Sequence, residues 1–367
     1  MRLSQIAASV AVAAATGALM AHTVIATTVT VARQDFRVRT EDGVGIFVRE
    51  LRPIAPASDR EPLILVHGAR VPGLGSFDLT VPGGSVAFDL AERTGRTVYV
   101  MDARGYGGSD RAAAMDQPPS ANPPQTRAFQ VVRDITAVVK DAERRARSHT
   151  VALLGWATGG MWVAYYASLN PEHVRHLITL NALYGGSDRH EMLGPGSSVS
   201  DPTHPDRLSP ATGAYALTSA ASLLRRWDQS IPLDDKTAWR DPTVAAAYQE
   251  AALASDPSSG THQPPAFRAP LGAIEDSFYQ ASGRRLFDAS SITAHVLLVR
   301  SDRDFWSRPE DVQAFAHDAT HAASVRILSL PDATHFVHLD RAEHGRDRLL
   351  NEVATFLADR GFPNQEN

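Results

Sequence analysis

Residues 149–160 read His-Thr-Val-Ala-Leu-Leu-Gly-Trp-Ala-Thr-Gly-Gly. The apolar run up to Leu154 has the pattern of a strand buried on both faces. It ends in Gly155, and Gly159 follows four residues later, so two small residues bracket Ala157. Residues 159–169 then read as a helix. A strand that passes straight into a helix through such a turn places the central residue at the strand's carboxyl end, where open parallel sheets carry their sites.

The same rhythm extends in both directions. Residues 35–40 and 44–51 straddle the turn Glu41-Asp42-Gly43 and read as a hairpin. Further buried strands are expected at 62–66, 96–101, 176–180, 294–299 and 324–328, and helices at 86–93, 127–147, 309–317 and 346–360. Antiparallel opening strands followed by alternating strands and helices predict an α/β fold, a doubly wound and mostly parallel eight-stranded sheet. Residues 185–290 break the alternation: short helical pieces such as 214–227 and 244–254 are separated by Pro, Ser, Asp and Gly. A structureless loop of that length is improbable in a compact domain, so this stretch is expected to be a helical cap inserted between core segments 33–184 and 291–367.

Ahead of the core, Arg2 precedes an apolar, Ala-rich run over residues 6–21, and no further charge occurs until Arg33. This is the pattern of a secretory signal, expected over residues 1–32, and it predicts a secreted or periplasmic product without stable membrane association after cleavage. The 367 residues carry 36 Lys+Arg against 41 Asp+Glu, a formal charge of −5, and no cysteine. Disulfides, thiolate metal sites and a cysteine nucleophile are therefore excluded. The mild acidity offers no footprint for nucleic acid. No phosphate-binding loop, dinucleotide fingerprint or metal-ligand cluster appears, so neither cofactor nor metal is expected; His317 and His321 stand at helical spacing but read as exposed.

Each expected strand end carries a chemically distinctive group. These are His67-Gly68-Ala69-Arg70, the loop from Asp102 to Ser109, the turn around Ala157, Ser301-Asp302-Arg303-Asp304, and the segment from Pro331 to His338. In this order, over nearly everything from Phe36 onward, the chain resembles the α/β-hydrolase fold family, in its serine esterase and lipase-like form. The resemblance implies a nucleophile at position 157, an acid at Asp304 with Asp302 as competitor, and a base at His335. Asn181, after the sixth strand, leaves the alternative acid position without a carboxylate. The resemblance also implies an oxyanion hole built from the backbone N–H groups of Ala69 and Thr158, with His67 and Asp102 as structural turn residues.

The central position departs from the family. A methyl group has neither a lone pair nor a proton to give up, so Ala157 cannot attack a carbonyl. Three readings stand: an introduced serine-to-alanine change, a natural pseudo-enzyme that binds without cleaving, or loss of the aspartate used by epoxide hydrolases and dehalogenases of this fold. The first is preferred, because Asp304 and His335 are both kept and Thr158 stands where those relatives usually have tryptophan.

Arg70 lies one residue beyond an oxyanion donor and could pair with a carboxylate on the substrate. A small-molecule ester is thus expected, such as a monoalkyl phthalate or another dicarboxylate monoester. Trp156, Tyr184, Phe305 and Trp306, with Trp162, are candidate pocket walls. A carbon–carbon bond hydrolase or lactonase of the same fold, or a non-catalytic binding protein, would share these features.

Overall fold

The structure, a computed structural model, describes residues 31–57 and 60–359; the expected signal segment lies outside them except for its last two residues. In chain order the elements are β1 (Val31–Arg39), β2 (Gly45–Pro53), β3 (Leu63–Val66), α1 (Gly73–Phe77), α2 (Val86–Thr94), β4 (Val98–Met101), α3 (Ala128–Ala146), β5 (Val151–Trp156), α4 (Thr158–Leu169) and β6 (Val174–Leu180). There follow β7 (Tyr215–Ser219), α5 (Ala220–Ser230), α6 (Pro242–Ala254), β8 (Ala266–Pro270), α7 (Gly272–Ala281), β9 (His295–Arg303), α8 (Pro309–Asp318), β10 (Ser324–Thr334) and α9 (Arg346–Ala358). Val31 and Ala32 already pair with Pro53 and Arg52, so the first strand begins two residues ahead of the boundary expected at residue 33.

Eight strands form one sheet in the order β1-β2-β4-β3-β5-β6-β9-β10. Only β2 is reversed, pairing antiparallel with both β1 and β4; β4, β3, β5, β6, β9 and β10 run parallel to one another. The doubly wound architecture expected from the sequence is therefore the one observed. The alternation in β3 shows why both faces must be covered: Leu63 and Leu65 join one apolar cluster with α2 and α9, while Ile64 and Val66 join the other with α3 and α4. In α3, the buried residues Val131, Val132, Ile135, Val138, Val139 and Ala142 recur at helical spacing and form the stripe that packs against the sheet.

The inserted segment lies between β6 and β9, and it is not purely helical. Residues 214–219, expected to open a helix, include β7, which pairs antiparallel with β8. The β-branched Thr218 and its pairing partner Phe267, far along the chain, override the local helical pattern. The insertion is also not wholly separate from the core. Asp276 of α7 accepts hydrogen bonds from Arg127 Nε (2.7 Å) and from the Ala128 amide at the start of α3 (2.6 Å), where the helix dipole favours a negative charge. On α5, Trp227 stacks on Phe336 of the core, with ring centroids 4.8 Å apart, and donates Nε1–H to buried Asp340 at 2.7 Å.

The sheet and α4 meet without room for a side chain at two glycines. A Cβ on Gly155 would stand 2.2 Å from the Gly159 carbonyl oxygen, and one on Gly159 would stand 2.2 Å from the Val66 carbonyl oxygen. Both obstacles are backbone and cannot swing away. Gly159→Ala is therefore expected to cost on the order of 3 kcal/mol or more, read as a lowered denaturation midpoint, whereas Gly83→Ala, where a Cβ meets only open space but φ is positive, is expected to cost only about 1 kcal/mol.

Candidate active site

Ala157 sits between the last residue of β5 and the first of α4 with φ 52° and ψ −118°. A non-glycine residue in this region carries strain of about 1–3 kcal/mol, sustained only where the surroundings over-determine it. Here they do. The Ala157 amide donates to Leu180 of β6 (2.8 Å), and its carbonyl accepts from the Gly160 amide (3.0 Å). The glycine contacts described above press the helix start against β3. The result is a sharp elbow that points the Cβ of Ala157 into a cavity beside Gly68.

His335 follows the last strand and is buried. Its Nδ1 lies 2.6 Å from Asp304 Oδ1. Asp304 also accepts from the Trp306 amide (3.0 Å), the Ser307 amide (2.8 Å) and the Ser307 hydroxyl. With a carboxylate accepting at Nδ1, that nitrogen carries the proton, and Nε2 is left as the basic nitrogen. Asp302, the competing acid, is exposed and makes no bond to His335.

Sequence reasoning missed the groups that hold the histidine loop. The His335 carbonyl accepts from Trp156 Nε1 (3.0 Å) and from Asn181 Nδ2 (3.2 Å). Asn181, itself at φ 52°, accepts the Ser301 amide at 2.8 Å, so β6, β9 and the histidine loop are tied through one amide side chain. A polar residue at a strand end was the only available signal, and without its partners it is mute. His338 is fully buried against Trp156, with centroids 4.3 Å apart, and burial holds its pKa well below the usual imidazole range.

Ala69 and Thr158 present backbone N–H groups beside the elbow, and among the described residues neither is paired with a backbone carbonyl. The Thr158 amide opens α4, where the dipole favours negative charge. The Ala69 peptide is held by Tyr106, whose hydroxyl donates to the Ala69 carbonyl at 2.8 Å. His67 braces the same turn: its Nδ1 lies 2.7 Å from the Gly68 carbonyl, and its Nε2 accepts the Ala103 amide at 3.1 Å. Asp102 accepts the Gly73 and Gly108 amides at 2.7 and 2.9 Å.

The cavity over the elbow holds about 320 Å³ of water-accessible space. Core residues Arg70, Trp156, Phe305 and Trp306 line it together with Leu223, Arg226 and Tyr248 from the insertion. Tyr184 does not. It is buried among Phe287 and Phe315, donating its hydroxyl to Asp318 at 3.0 Å, because the chain after β6 turns away from the cavity and onto α8. Trp162 is likewise core, edge-on to His67. Among the described residues no group of three or more His, Cys, Asp or Glu side chains could hold a metal ion.

This is the arrangement of an α/β-hydrolase, and the chain belongs to that fold's serine aminopeptidase S33 family, whose model matches residues 84–342. No curated protein matches it. Among solved structures it is similar to a meta-cleavage product hydrolase from Pseudomonas fluorescens, a serine-to-alanine mutant complexed with acetates (16% identity, TM-score 0.55, covering 89% of this chain and 98% of that one). It is also similar to Est1E from Butyrivibrio proteoclasticus with ferulic acid bound (16%, 0.54, 89% and 98%) and to an esterase from Exiguobacterium antarcticum (14%, 0.52, 88% and 99%). At these identities the likeness is one of fold.

Burial pushes the His67 pKa down from 6.5 to about 4. The unfolded chain therefore binds this proton more readily, and the stability tied to neutral His67 is lost as pH falls from about 6.5 to 4. Burial pushes Asp102 and Asp340 up to about 6, which acts in the opposite sense over part of that range. The isolating measurement is a comparison: the fall in melting temperature between pH 6.5 and 4 is expected to be shallower in His67→Asn than in the unaltered chain.

Proposed function

We propose that this chain has the frame of a serine-type carboxylic ester hydrolase for esters bearing a free carboxylate, such as a monoalkyl phthalate or another dicarboxylate monoester, and that Ala157 occupies the place of its nucleophilic serine. The observation that carries this reading is the Asp304–His335 pair at 2.6 Å, set beside an elbow still held at φ 52°. A buried carboxylate–imidazole pair and a strained turn both cost stability, and they have a use together only where a side chain at position 157 is to be deprotonated.

With a hydroxyl restored at that position, His335 Nε2 takes its proton as the oxygen attacks the ester carbonyl. The Ala69 and Thr158 amides stabilise the developing oxyanion. Collapse of the tetrahedral intermediate expels the alcohol, which takes the proton from His335, and water repeats the sequence to free the acid. Asp304 keeps the imidazole in its tautomer and offsets its charge. Without the hydroxyl none of these steps starts, so the chain as it stands is expected to bind ester with little or no turnover.

Arg70 supports the carboxylate specificity, because it follows the oxyanion donor Ala69 directly and lines the cavity. The apolar leader supports an exported protein, secreted or periplasmic, and no helix among the described residues is long and apolar enough to cross a membrane.

Ala157→Ser is expected to raise the hydrolysis of aryl and alkyl esters at least about 10³-fold over the unaltered chain. Equal turnover by the two proteins would overturn the esterase reading and favour a binding protein. In the restored enzyme, Arg70→Ala is expected to raise KM about tenfold for monoesters of dicarboxylic acids and to leave KM for neutral esters unchanged. Equal effects on both substrates would remove the carboxylate preference.

A further inference from the structure

Among the described residues the arginines that line the cavity are Arg70 and Arg226, beside His335, and no aspartate or glutamate lines it. This is unusual in this molecule, where arginines such as Arg104, Arg268 and Arg308 each meet a carboxylate within 3 Å. Arg70 forms no hydrogen bond or ion pair among the described residues. Arg70 and Arg226 are both exposed to solvent; partial desolvation and then the like charges of Arg226 and Arg225 lower the Arg70 pKa. Arg226 is no better served. Its one hydrogen bond among the described residues is a long 3.4 Å contact to Gln229, and its guanidinium carbon lies 5.9 Å from the centroid of the Phe305 ring. That ring in turn stands 4.6 Å from the ring of His335.

The two arginines come from different parts of the fold. Arg70 belongs to the core turn after β3, and Arg226 belongs to α5 of the insertion. The next residue on α5 is Trp227, fixed to the core through Asp340 and Phe336, so Arg226 is carried to the cavity rim by an anchored helix. Two guanidiniums that line one cavity repel each other. An anion between them would relieve that repulsion and gain charge-assisted hydrogen bonds from both.

We propose that Arg70 and Arg226 form a two-armed clasp for one carboxylate of an organic acid ligand with an apolar body, so that the bound acid bridges core and insertion. The clasp rests on the reading of this cavity as the substrate site and adds to it a second anchor, contributed by the insertion. The apolar body lies against Leu223, Tyr248 and Phe305, and the ester carbonyl reaches the elbow. The carboxylate thus belongs to the acyl part of the ester, close to the carbonyl, as in an ortho-related aromatic diacid.

The test is binding to the unaltered Ala157 chain, which holds ligand without consuming it, using monoethyl phthalate and its neutral counterpart diethyl phthalate with calorimetry as the readout. The monoester is expected to bind about tenfold or more tightly than the diester. Arg70→Gln and Arg226→Gln are each expected to weaken monoester binding about tenfold and leave the diester unchanged, which also shows that the variants are folded. The double variant is expected to lose less than the product of the two single losses, because one carboxylate is released by either change. Arg225→Gln, a nearby charge outside the cavity lining, is expected to change monoester binding less than about threefold. Unchanged monoester binding in Arg226→Gln, an equal loss of diester, losses that simply multiply, or an Arg225→Gln effect as large as that of Arg226→Gln would each overturn the clasp. Turnover by Ala157→Ser enters none of these measurements, so failure of the esterase reading and failure of the clasp are read separately.

Discussion

The turn from β5 into α4 is the constraint on which the rest of the molecule depends. To bring a helix start this close to a parallel sheet, the chain holds Ala157 at a positive φ and excludes side chains at Gly155 and Gly159. The reward of that geometry is a single position whose Cβ projects from the sheet edge, next to the amide at the start of a helix. Asp304, His335 and the amides of Ala69 and Thr158 are arranged around that point, and the side chain the turn presents is a methyl.

The histidine loop is organised outward from the same turn. Trp156, the residue before the elbow, and Asn181, at the end of the neighbouring strand, both donate to the carbonyl of His335. Asp304 fixes the imidazole from the other side. A few residues further on, Asp340 accepts from Thr334 in the same loop and from Trp227 of the insertion. One short segment therefore links His335, the elbow and α5, whose Leu223 and Arg226 line the cavity.

Much of the sheet was legible in the residues because parallel strands buried on both faces leave continuous apolar runs. Those around Leu63, Val98 and Val151 were found within a few positions. The turns carrying His67, Asp102, Ala157, Asp304 and His335 were legible because strand ends in such a sheet are where chemistry can reach solvent. What the pattern could not give were features that depend on a remote partner. The pairing of β7 with β8 needs two segments that lie far apart in the chain. The role of Asn181 needs Ser301 and His335. Tyr184 is aromatic and follows a strand, which describes a pocket wall and a core residue equally well; only the path of the chain after β6 places it against Phe287 and Phe315.

By itself the sequence determined the fold class and the absence of any reactive side chain at the elbow, because these follow from local periodicity and from the identity of single residues. The tertiary structure alone decided which acid meets His335, that Asp304 is buried against it while Asp302 faces solvent, and that Arg226 from the insertion faces the same cavity as Arg70 from the core. These outcomes depend on distances between residues far apart in the chain, and such distances are set by packing, which no short stretch of sequence contains.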